Sequence, residues 1–439
     1  MNSNKKTMGT KKDGKPALVP KRRFPEFRND AEWITEALGQ LANYENGKAY
    51  EQDITEIGKY VVVNSRFIST DGAVRKYTNA EYLVAEAGDV LMVLSDLPKG
   101  KALAKCYFVH ANDRYAVNQR VCRLKPKQID GKFLYYALNR HPRLLAFDDG
   151  LNQTHLSKGG VTECPLCIPR DKAEQHKIAE CLNSVDEVIT AQARKVDALK
   201  THRKGLMQQL FPREGETQPR LRFPEFQNDG EWARMSIQEM IDREFIVGHL
   251  DGNHGELYPK AEEFSQDKEG IPYITANDFI NGIVEFSRCK RLPIERARLF
   301  KKGVAKDGDI LFAHNATVGP VAKLSTSEEF VILSTTATYY RCNAKHLSND
   351  FLKSALSSPD FVAQYSRVMS QSTRNQVPIT TQRKLELHVP KPSEQQRIAS
   401  CLSSLDALIT AETQKLEALK RHKRGLMQQL FPSPEEVAG

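Results

Sequence analysis

The chain contains two copies of the same sequence pattern. The segment Arg23 to Phe27, Arg-Phe-Pro-Glu-Phe, returns at Arg222 to Phe226, 199 positions later. The block 176–212 returns at 396–432, 220 positions later, with 22 of its 37 residues identical. The second copy therefore has 21 additional residues between Trp232 and Gly308. Two similar units on a common frame are the simplest architecture that this pattern allows.

Composition limits the class of protein. Hydrophobic residues make up 40% of the 439 residues, so sizeable cores are possible, and no run of about 18 apolar residues that could span a membrane occurs. The apolar stretch of a signal peptide is also missing at the beginning of the sequence. We therefore expect a cytoplasmic location and no membrane partner. The net charge of +9 favours a polyanionic partner, of which double-stranded DNA is one candidate.

The repeated block predicts a long helix in each half. Apolar residues recur at heptad spacing and in the same phase in both copies. From about residue 178, some 33 residues would form a rod of about 50 Å. Each helix should end at Leu210 to Phe211 or at Leu430 to Phe431, because Pro212 and Pro432 follow. The two helices are expected to pair, in an orientation that the pattern leaves open; the alternative is two separate amphipathic helices, each packed on its own unit. The predicted seam consists of Ile178, Leu182, Val185, Ile189, Val196, Leu199, Leu206, Leu210, Ile398, Leu402, Leu405, Ile409, Leu416, Leu419, Leu426 and Leu430.

The segments outside the helices predict two α+β units with mixed sheets. Short runs rich in Val, Ile and aromatic residues indicate strands over 60–68, 89–94, 102–109 and 115–124, then 309–313, 320–324 and 330–342. Helices are expected over 131–147, broken or kinked at Pro142, and over 349–369. The predicted boundaries are a disordered basic arm (1–23), a first domain (24–170), a helix (171–212), a second domain (213–390), a second helix (391–432) and a tail (433–439).

Two polar loops, 150–158 and 371–376, occupy the same place in the two copies and differ in sequence. Asn and Gln can bind adenine edges, and Arg or Lys can bind guanine. A solvated surface loop is the alternative for each single residue. The predicted DNA-contacting residues are Lys101, Lys105, Arg114, Asn118, Gln119, Arg120, Asn152, Gln153, Thr154, His155, Lys158, His249, Asn253, His254, Asn315, Thr317, Lys323, Ser372, Thr373, Arg374, Asn375 and Gln376.

The motifs of common catalytic sites are missing from the sequence. It has no phosphate-binding loop of the GxxxxGK[ST] kind and no Pro-Pro pair of the kind that adenine methyltransferases use. Cys164 and Cys167 form a single CxxC, which lacks the second ligand pair of a structural zinc site. We therefore predict no catalytic residue, no metal site and no cofactor in this chain, which is expected to bind rather than to modify.

Taken together, these motifs resemble the specificity subunits of type I restriction-modification enzymes over nearly the whole chain. The resemblance rests on the two Arg-Phe-Pro-Glu-Phe openings and on the two blocks that run from Glu-Gln, at 174–175 and 394–395, to Gly-Leu-Met-Gln-Gln-Leu-Phe-Pro, ending at Pro212 and Pro432. It implies two similar target recognition domains, each reading one half of a bipartite asymmetric DNA site. It also implies that the helices form an antiparallel coiled coil that sets the spacer.

The resemblance further implies partners that carry the chemistry. Two methylation subunits would bring S-adenosylmethionine, and restriction subunits would use ATP and Mg²⁺. Two rival hypotheses stay open at this point. One is a duplicated coiled-coil scaffold or DNA-binding regulator with no role in restriction-modification, and the other is an enzyme whose catalytic group the motifs do not reveal.

Overall fold

The computed structural model describes residues 18–97, 100–265, 269–371 and 374–432. They form two compact units, of which unit 1 comprises the described parts of 1–192 and 415–439 and unit 2 comprises those of 193–414. The division falls inside both long helices, so each unit contains the first half of one helix and the second half of the other. Most of the predicted basic arm, the tail 433–439, Ser372 and Thr373 lie outside the described residues.

Unit 1 contains thirteen described strands: β1 (Ile34–Ala37), β2 (Ala42–Asn46), β3 (Ile54–Thr55), β4 (Tyr60–Val63), β5 (Tyr77–Thr78), β6 (Val84–Ala85), β7 (Val90–Val93), β8 (Ser95–Asp96), β9 (Cys106–Phe108), β10 (Tyr115–Val117), β11 (Val121–Pro126), β12 (Thr154–His155) and β13 (Pro165–Ile168). Its α-helices are α1 (Leu38–Leu41), α2 (Ser65–Ser69), α3 (Gly131–Leu138), α4 (Pro142–Leu145), α5 (Lys158–Thr162) and the first half of α6 (Lys172–Leu210). The main sheets have the orders β2-β11-β7-β9 and β3-β5-β4-β10-β6.

Unit 2 follows the same plan. Its described strands are β14 (Ala233–Ser236), β15 (Ile246–Asp251), β16 (Ile271–Ile274), β17 (Phe279–Ile280), β18 (Ile283–Val284), β19 (Lys290–Leu292), β20 (Val304–Ala305), β21 (Ile310–Asn315), β22 (Thr317–Lys323), β23 (Val331–Leu333), β24 (Ala337–Cys342) and β25 (Glu386–Val389). Its helices are α7 (Ile237–Asp242), α8 (Ile294–Ala297), α9 (Asn349–Ala355), α10 (Pro359–Ser370), α11 (Ile379–Gln382) and the first half of α12 (Pro392–Leu430). The sheet orders are β15-β24-β21-β22-β18-β17 and β19-β16-β23-β20.

Both units combine helices with mixed sheets, as the sequence predicts. β10 runs parallel to β4 and antiparallel to β6, and β23 has the same relation to β16 and β20. These pairings also locate the 21 additional residues. The residue number in unit 2 exceeds that of the equivalent position in unit 1 by 199 at Trp33 and by 205 at Tyr44. The difference rises to 211 at Val62 and to 220 at Val84. The additional residues are therefore divided among three segments of unit 2, which include strands and helices as well as loops, rather than forming one insertion.

Several predicted boundaries differ from the structure. The strand predicted over 115–124 is two strands, β10 and β11, joined by a turn. The end of the strand predicted over 60–68 is helical, because the Asn64 side chain caps α2 at Phe67 N. The strand predicted over 102–109 shortens to β9. The strand predicted over 330–342 is two strands joined by a turn, and the helix predicted over 349–369 is two helices, because Ser358 caps a new helix whose first residue is Pro359. The predicted break at Pro142 is confirmed, since α4 begins there.

The long helices are confirmed, and both end as predicted at Leu210 and Leu430. Each has 39 residues, about 58 Å at the α-helical rise, and none of the sixteen seam residues is exposed. In unit 1 the Lys423 ammonium contacts the Asp186 carboxylate, and in unit 2 Arg203 Nη2 donates to Asp406 Oδ2 at 3.0 Å. Within each unit the paired segments therefore run antiparallel. The polar residues at the skipped seam positions Arg203 and Lys423 make these register-fixing contacts.

A stacked aromatic cluster joins each long helix end to its unit. In unit 1 Phe431 stacks on Phe133, with ring centroids 5.4 Å apart, and Trp33 packs edge-on against both rings. Phe211, Phe351 and Trp232 repeat this arrangement in unit 2. Within the described ranges, no helix is both long and apolar enough to span a membrane.

Candidate nucleic-acid interface

A three-segment junction lies at the end of strand β7 in unit 1. Leu94 N donates to Arg120 O at 2.9 Å, and Leu156 N donates to Leu94 O at 2.8 Å. The short strands β8 and β12 then pair directly beyond this point. The turn 118–120 and the loop 153–156 are thereby held against the segment 94–96. We call these three segments the unit 1 junction.

Unit 2 has a junction with equivalent main-chain hydrogen bonds but different residues. His314 N donates to Thr336 O at 3.0 Å, and Val377 N donates to His314 O at 2.8 Å. Beyond it, Asn315 forms a β-bridge with Gln376. The segments 314–317, 334–336 and 374–377 form the unit 2 junction. The two polar loops identified in the sequence therefore reach the same structural position in both units.

The unit 1 junction exposes several of the predicted DNA-contacting side chains. Gln119, Arg120, Gln153 and His155 are exposed, and the Gln153 amide donates to Ser95 Oγ at 2.9 Å. Lys158, just after the loop, is exposed as well. The exposed side chains of this junction thus combine positive charge with amide groups, the combination that binds phosphates and base edges.

The unit 2 junction exposes a different set of side chains. Thr317 lies at the tip of the hairpin between β21 and β22, where Ala316 adopts a φ of +63°. Arg374 and Asn375 are exposed beside it, and Asn375 Nδ2 holds the hairpin by donating to Ala316 O at 2.8 Å. In unit 2 the positively charged side chain, Arg374, comes from the segment 374–377, whereas in unit 1 Arg120 comes from the turn 118–120. The two junctions therefore expose different side chains on a similar main-chain arrangement.

Other predicted contact residues are engaged inside their own unit. Lys105 pairs with Asp71 at 2.8 Å, and Lys323 pairs with both carboxylate oxygens of Asp350 at 2.8 and 2.9 Å. The Asn118 amide is buried and donates to Glu51. Asn118 thus belongs to the unit 1 junction but its side chain is buried, and all three side chains form contacts inside their own unit.

The remaining predicted positions fall into three groups. His249 and His254 are buried: the ring of His249 contacts Gln382 Oε1 at 3.4 Å, and the ring of His254 contacts Leu333 O at 2.7 Å. Lys101, Arg114, Asn152 and Asn253 lie on exposed loops outside the junctions. Thr154, Asn315 and Gln376 belong to the junction segments, where Thr154 is buried and the other two are half-buried.

A buried polar network, which the sequence did not reveal, supports the unit 2 junction. Gln382, fully buried, donates to Val377 O at 2.9 Å and to Thr338 Oγ1 at 3.1 Å, and it accepts from the Tyr340 hydroxyl at 2.7 Å. Thr338 in turn contacts the His314 ring at 2.8 Å. In unit 1 the strand positions equivalent to Thr338 and Tyr340 are Cys122 and Leu124, so this part of its core is apolar.

The buried histidines of this network predict that unit 2 loses stability in acid. Burial, aided by the charge of Arg383, lowers the pKa of His249 to about 4. Burial also lowers the pKa of His314. An unfolded histidine titrates near 6.5, so below that pH the unfolded state takes up protons that the folded state does not, and stability is lost as the pH falls towards 4.

We expect unit 2 to lose on the order of 3 kcal/mol through His249 between pH 7 and 4. Hydrogen exchange of the full chain, followed by mass spectrometry, would show unit 2 peptides losing protection before those of unit 1. The control is His249→Gln, which should flatten the pH dependence of unit 2. Equal loss of protection in both units, unchanged by that substitution, would contradict the assignment.

All eight cysteines lie within the described residues, and none of them forms a disulfide. Cys164 is buried, which raises the pKa of its thiol to about 11, and its Sγ lies 3.5 Å from His141 Nδ1. Among the described residues, no group of three His, Cys, Asp or Glu side chains is placed to hold a metal ion.

Comparison with known proteins identifies the family to which the two units and their junctions belong. The family model described as the type I restriction modification DNA specificity domain matches residues 31–201 and 247–421. The chain belongs to this family. The two matched regions correspond to the two copies of the internal repeat, and the resemblance derived from the sequence motifs is confirmed.

Relatives of this specificity subunit match it over nearly its full length. The type I restriction enzyme MjaVIII specificity subunit of Methanocaldococcus jannaschii is 22% identical over 422 residues, which cover 93% of each chain. The putative MjaX specificity subunit of the same organism is 22% identical over 327 residues, covering 72% of this chain and 71% of the relative.

Two solved structures share the fold. The S subunit of a type I restriction-modification system from M. genitalium superposes with a TM-score of 0.61 at 17% identity, over 95% of this chain and all of that one. A chain from a study of complex assembly and conformational transition in the type I R-M system gives a TM-score of 0.53 at 17% identity, over 91% and 98% of the two chains. The predicted class of two similar α+β domains with an antiparallel helix pair is thus confirmed.

Proposed function

We propose that this specificity subunit reads a bipartite, asymmetric DNA sequence, with one block recognised at each junction. The observation that carries the proposal is the junction itself: one main-chain arrangement occurs in both units and presents unlike side chains. Two sites that share a main-chain arrangement but expose different side chains are suited to recognising two different base sequences. The basic net charge of +9 adds a sequence-independent attraction to phosphates.

The same proposal assigns the chemistry to partner subunits. Two methylation subunits would dock on the repeated helices and bring S-adenosylmethionine, and restriction subunits would supply the reactions that need ATP and Mg²⁺. The chain itself acts without catalysis. The antiparallel helices act as a ruler that fixes the spacer between the two DNA blocks.

Matched arginine substitutions in the two junctions test whether the readers are separate. Arg120→Ala in unit 1 and Arg374→Ala in unit 2 each remove an exposed guanidinium. Loss of a good bidentate base contact costs about 1–3 kcal/mol, roughly 5- to 150-fold in discrimination. We expect each variant to relax one DNA block only.

The measurement is sequence selection from randomised duplexes by the variant chains, each purified with its methylation subunits. The two variants should relax opposite blocks, and each serves as the control for the other. If both variants altered both blocks alike, or if each left both blocks unchanged while lowering overall affinity, the junctions would not be the sites of base reading.

A further inference from the structure

A fourth segment adjoins the junction in each unit. It begins where strand β4 ends at Val63 in unit 1 and where strand β16 ends at Ile274 in unit 2. Asn118 N donates to Val63 O at 3.1 Å, and Ser334 N donates to Ile274 O at 2.8 Å. Asn118 and Ser334 are junction residues, so the chain that leaves each of these strands starts in direct contact with the junction of its own unit.

In unit 2 further hydrogen bonds hold this segment in place. Ala276 N donates to Oγ1 of the junction residue Thr336 at 2.9 Å. The buried Asp278 carboxylate accepts from Thr275 N at 2.7 Å and from Thr275 Oγ1 at 2.8 Å. The main chain on both sides of Ala276 is therefore fixed beside the junction.

In unit 1 a side-chain cap and a buried ring fix the equivalent segment. Asn64 Oδ1 accepts from Phe67 N at 2.9 Å. Phe67 is buried, and its ring centroid lies 5.1 Å from that of Tyr107. The residues between Asn64 and Phe67 are thus held next to the junction, as they are in unit 2.

The third residue after each of these strands is exposed, Arg66 in unit 1 and Asn277 in unit 2. These positions are 211 apart, the same difference as at Val62 in the preceding strand. Among the described residues, neither side chain forms a hydrogen bond or an ion pair. Two unlike polar side chains are therefore available at equivalent places, on a main chain that is held in position.

We propose that Arg66 and Asn277 are specificity-determining residues, each of which contacts one base edge at its own junction. Arginine binds guanine O6 and N7 through two hydrogen bonds, and asparagine binds adenine N6 and N7. Such paired bonds are directional, which requires the fixed main chain that both segments have. Arg66 then recognises guanine in the unit 1 block, and Asn277 recognises adenine in the unit 2 block. This inference rests on the proposed function and adds one reading position to each junction.

Exchanging the two residue types tests the assignment. Asn277→Arg should change the preferred base from adenine to guanine at one position of the unit 2 block. Arg66→Asn should change guanine to adenine at one position of the unit 1 block. Each variant should shift discrimination at that position by about 5- to 150-fold and leave the other block unaltered. The measurement is sequence selection from randomised duplexes by each variant purified with its methylation subunits.

Two further variants serve as controls in unit 2. Asn277→Gln retains an amide that can bind adenine, so the adenine preference should persist. Asn281→Arg adds the same positive charge at an exposed position in the hairpin between β17 and β18, and it should leave both blocks unchanged. A newly gained base preference, unlike a loss of binding, does not arise from partial unfolding of a variant.

The wild-type chain, selected in parallel, separates this inference from the proposed function. If the wild type enriched two blocks while an exchanged variant kept the wild-type preference at every position, the assignment would be overturned for that unit and the proposed function would stand. An equal loss of affinity for all sequences, or the same new preference with Asn281→Arg, would also overturn it. If the wild type enriched no block, both proposals would fail.

Discussion

Replacing Arg222 with methionine is expected to destabilise unit 2 by about 3–5 kcal/mol, because it leaves a buried carboxylate without its partner. Arg222 donates from Nε and Nη2 to the two oxygens of Glu394, each at 2.8 Å. The side chains are 7% and 1% exposed. The guanidinium also donates to two main-chain carbonyls, at Asp229 and Gly230. Chemical unfolding of the full chain measures the change.

The control is Arg234→Met, which removes an exposed partner of Glu386 in the same unit. Those two side chains are 58% and 38% exposed, and such pairs contribute at most about 1 kcal/mol. Adding Glu394→Gln to Arg222→Met should recover part of the loss, since the buried charge is then gone. Destabilisation by Arg222→Met no larger than that by Arg234→Met would contradict the account.

This ion pair explains why two distant motifs repeat together. In unit 1, Arg23 binds Glu174 in the same way, from Nε at 2.7 Å and from Nη2 at 2.6 Å. The arginine of each Arg-Phe-Pro opening thus holds the glutamate at the start of the long helix of its own unit. The same pair recurs in both copies.

Shortening both helices by one heptad is expected to shorten the preferred DNA spacer by roughly 3 base pairs. Asp186 faces Lys423 and Arg203 faces Asp406, so residues 196–202 lie opposite 407–413 in the antiparallel register. Deleting both heptads preserves the seam phase and removes about 10 Å of helix, and each base pair occupies about 3.4 Å of duplex. Sequence selection with the shortened chain and its methylation subunits measures the gap.

Deleting only residues 196–202 is the control, because it leaves residues 407–413 without opposite partners and places the Arg203–Asp406 contact out of register. That variant should lose stability rather than shorten the gap cleanly. If the doubly shortened chain retained both DNA blocks at the original spacing, the helices would not set the spacer.

The periodic features of the fold could be predicted from the sequence. The helix ends follow from Pro212 and Pro432, and the buried face of each helix follows from the heptad seam. The register and orientation of the helix pair do not follow from the seam, and the contacts of Lys423 with Asp186 and of Arg203 with Asp406 establish them. The strand ends proved harder to predict. The turn between β23 and β24 lies within a continuous run of strand-forming residues, and the side-chain caps of Asn64 and Ser358 begin helices that apolar periodicity does not reveal.

The candidate interface could be predicted only in part. Loop position in the repeat led to residues 153–155 and 374–376, which do lie at the junctions. Polarity alone also selected His249, Asn118 and Lys105, whose partners are inside the protein. Sequence does not show that the Asn118 amide binds Glu51, since these residues are 67 positions apart. The Gly-Asp pairs at 88–89 and 308–309 are 220 positions apart, and the same offset aligns Ser95 with Asn315. This offset was the signal in the sequence that could have identified the junctions.

Selection from randomised duplex DNA, using the complete chain purified with its methylation subunits, tests the central claim most directly. Sequencing of the bound fraction should give two unlike blocks separated by a gap of fixed length. This result is expected if each unit recognises one block and the helices set the spacer. Enrichment of no sequence by a folded and fully assembled complex would contradict the account, and the duplicated frame would then be a scaffold rather than a DNA reader.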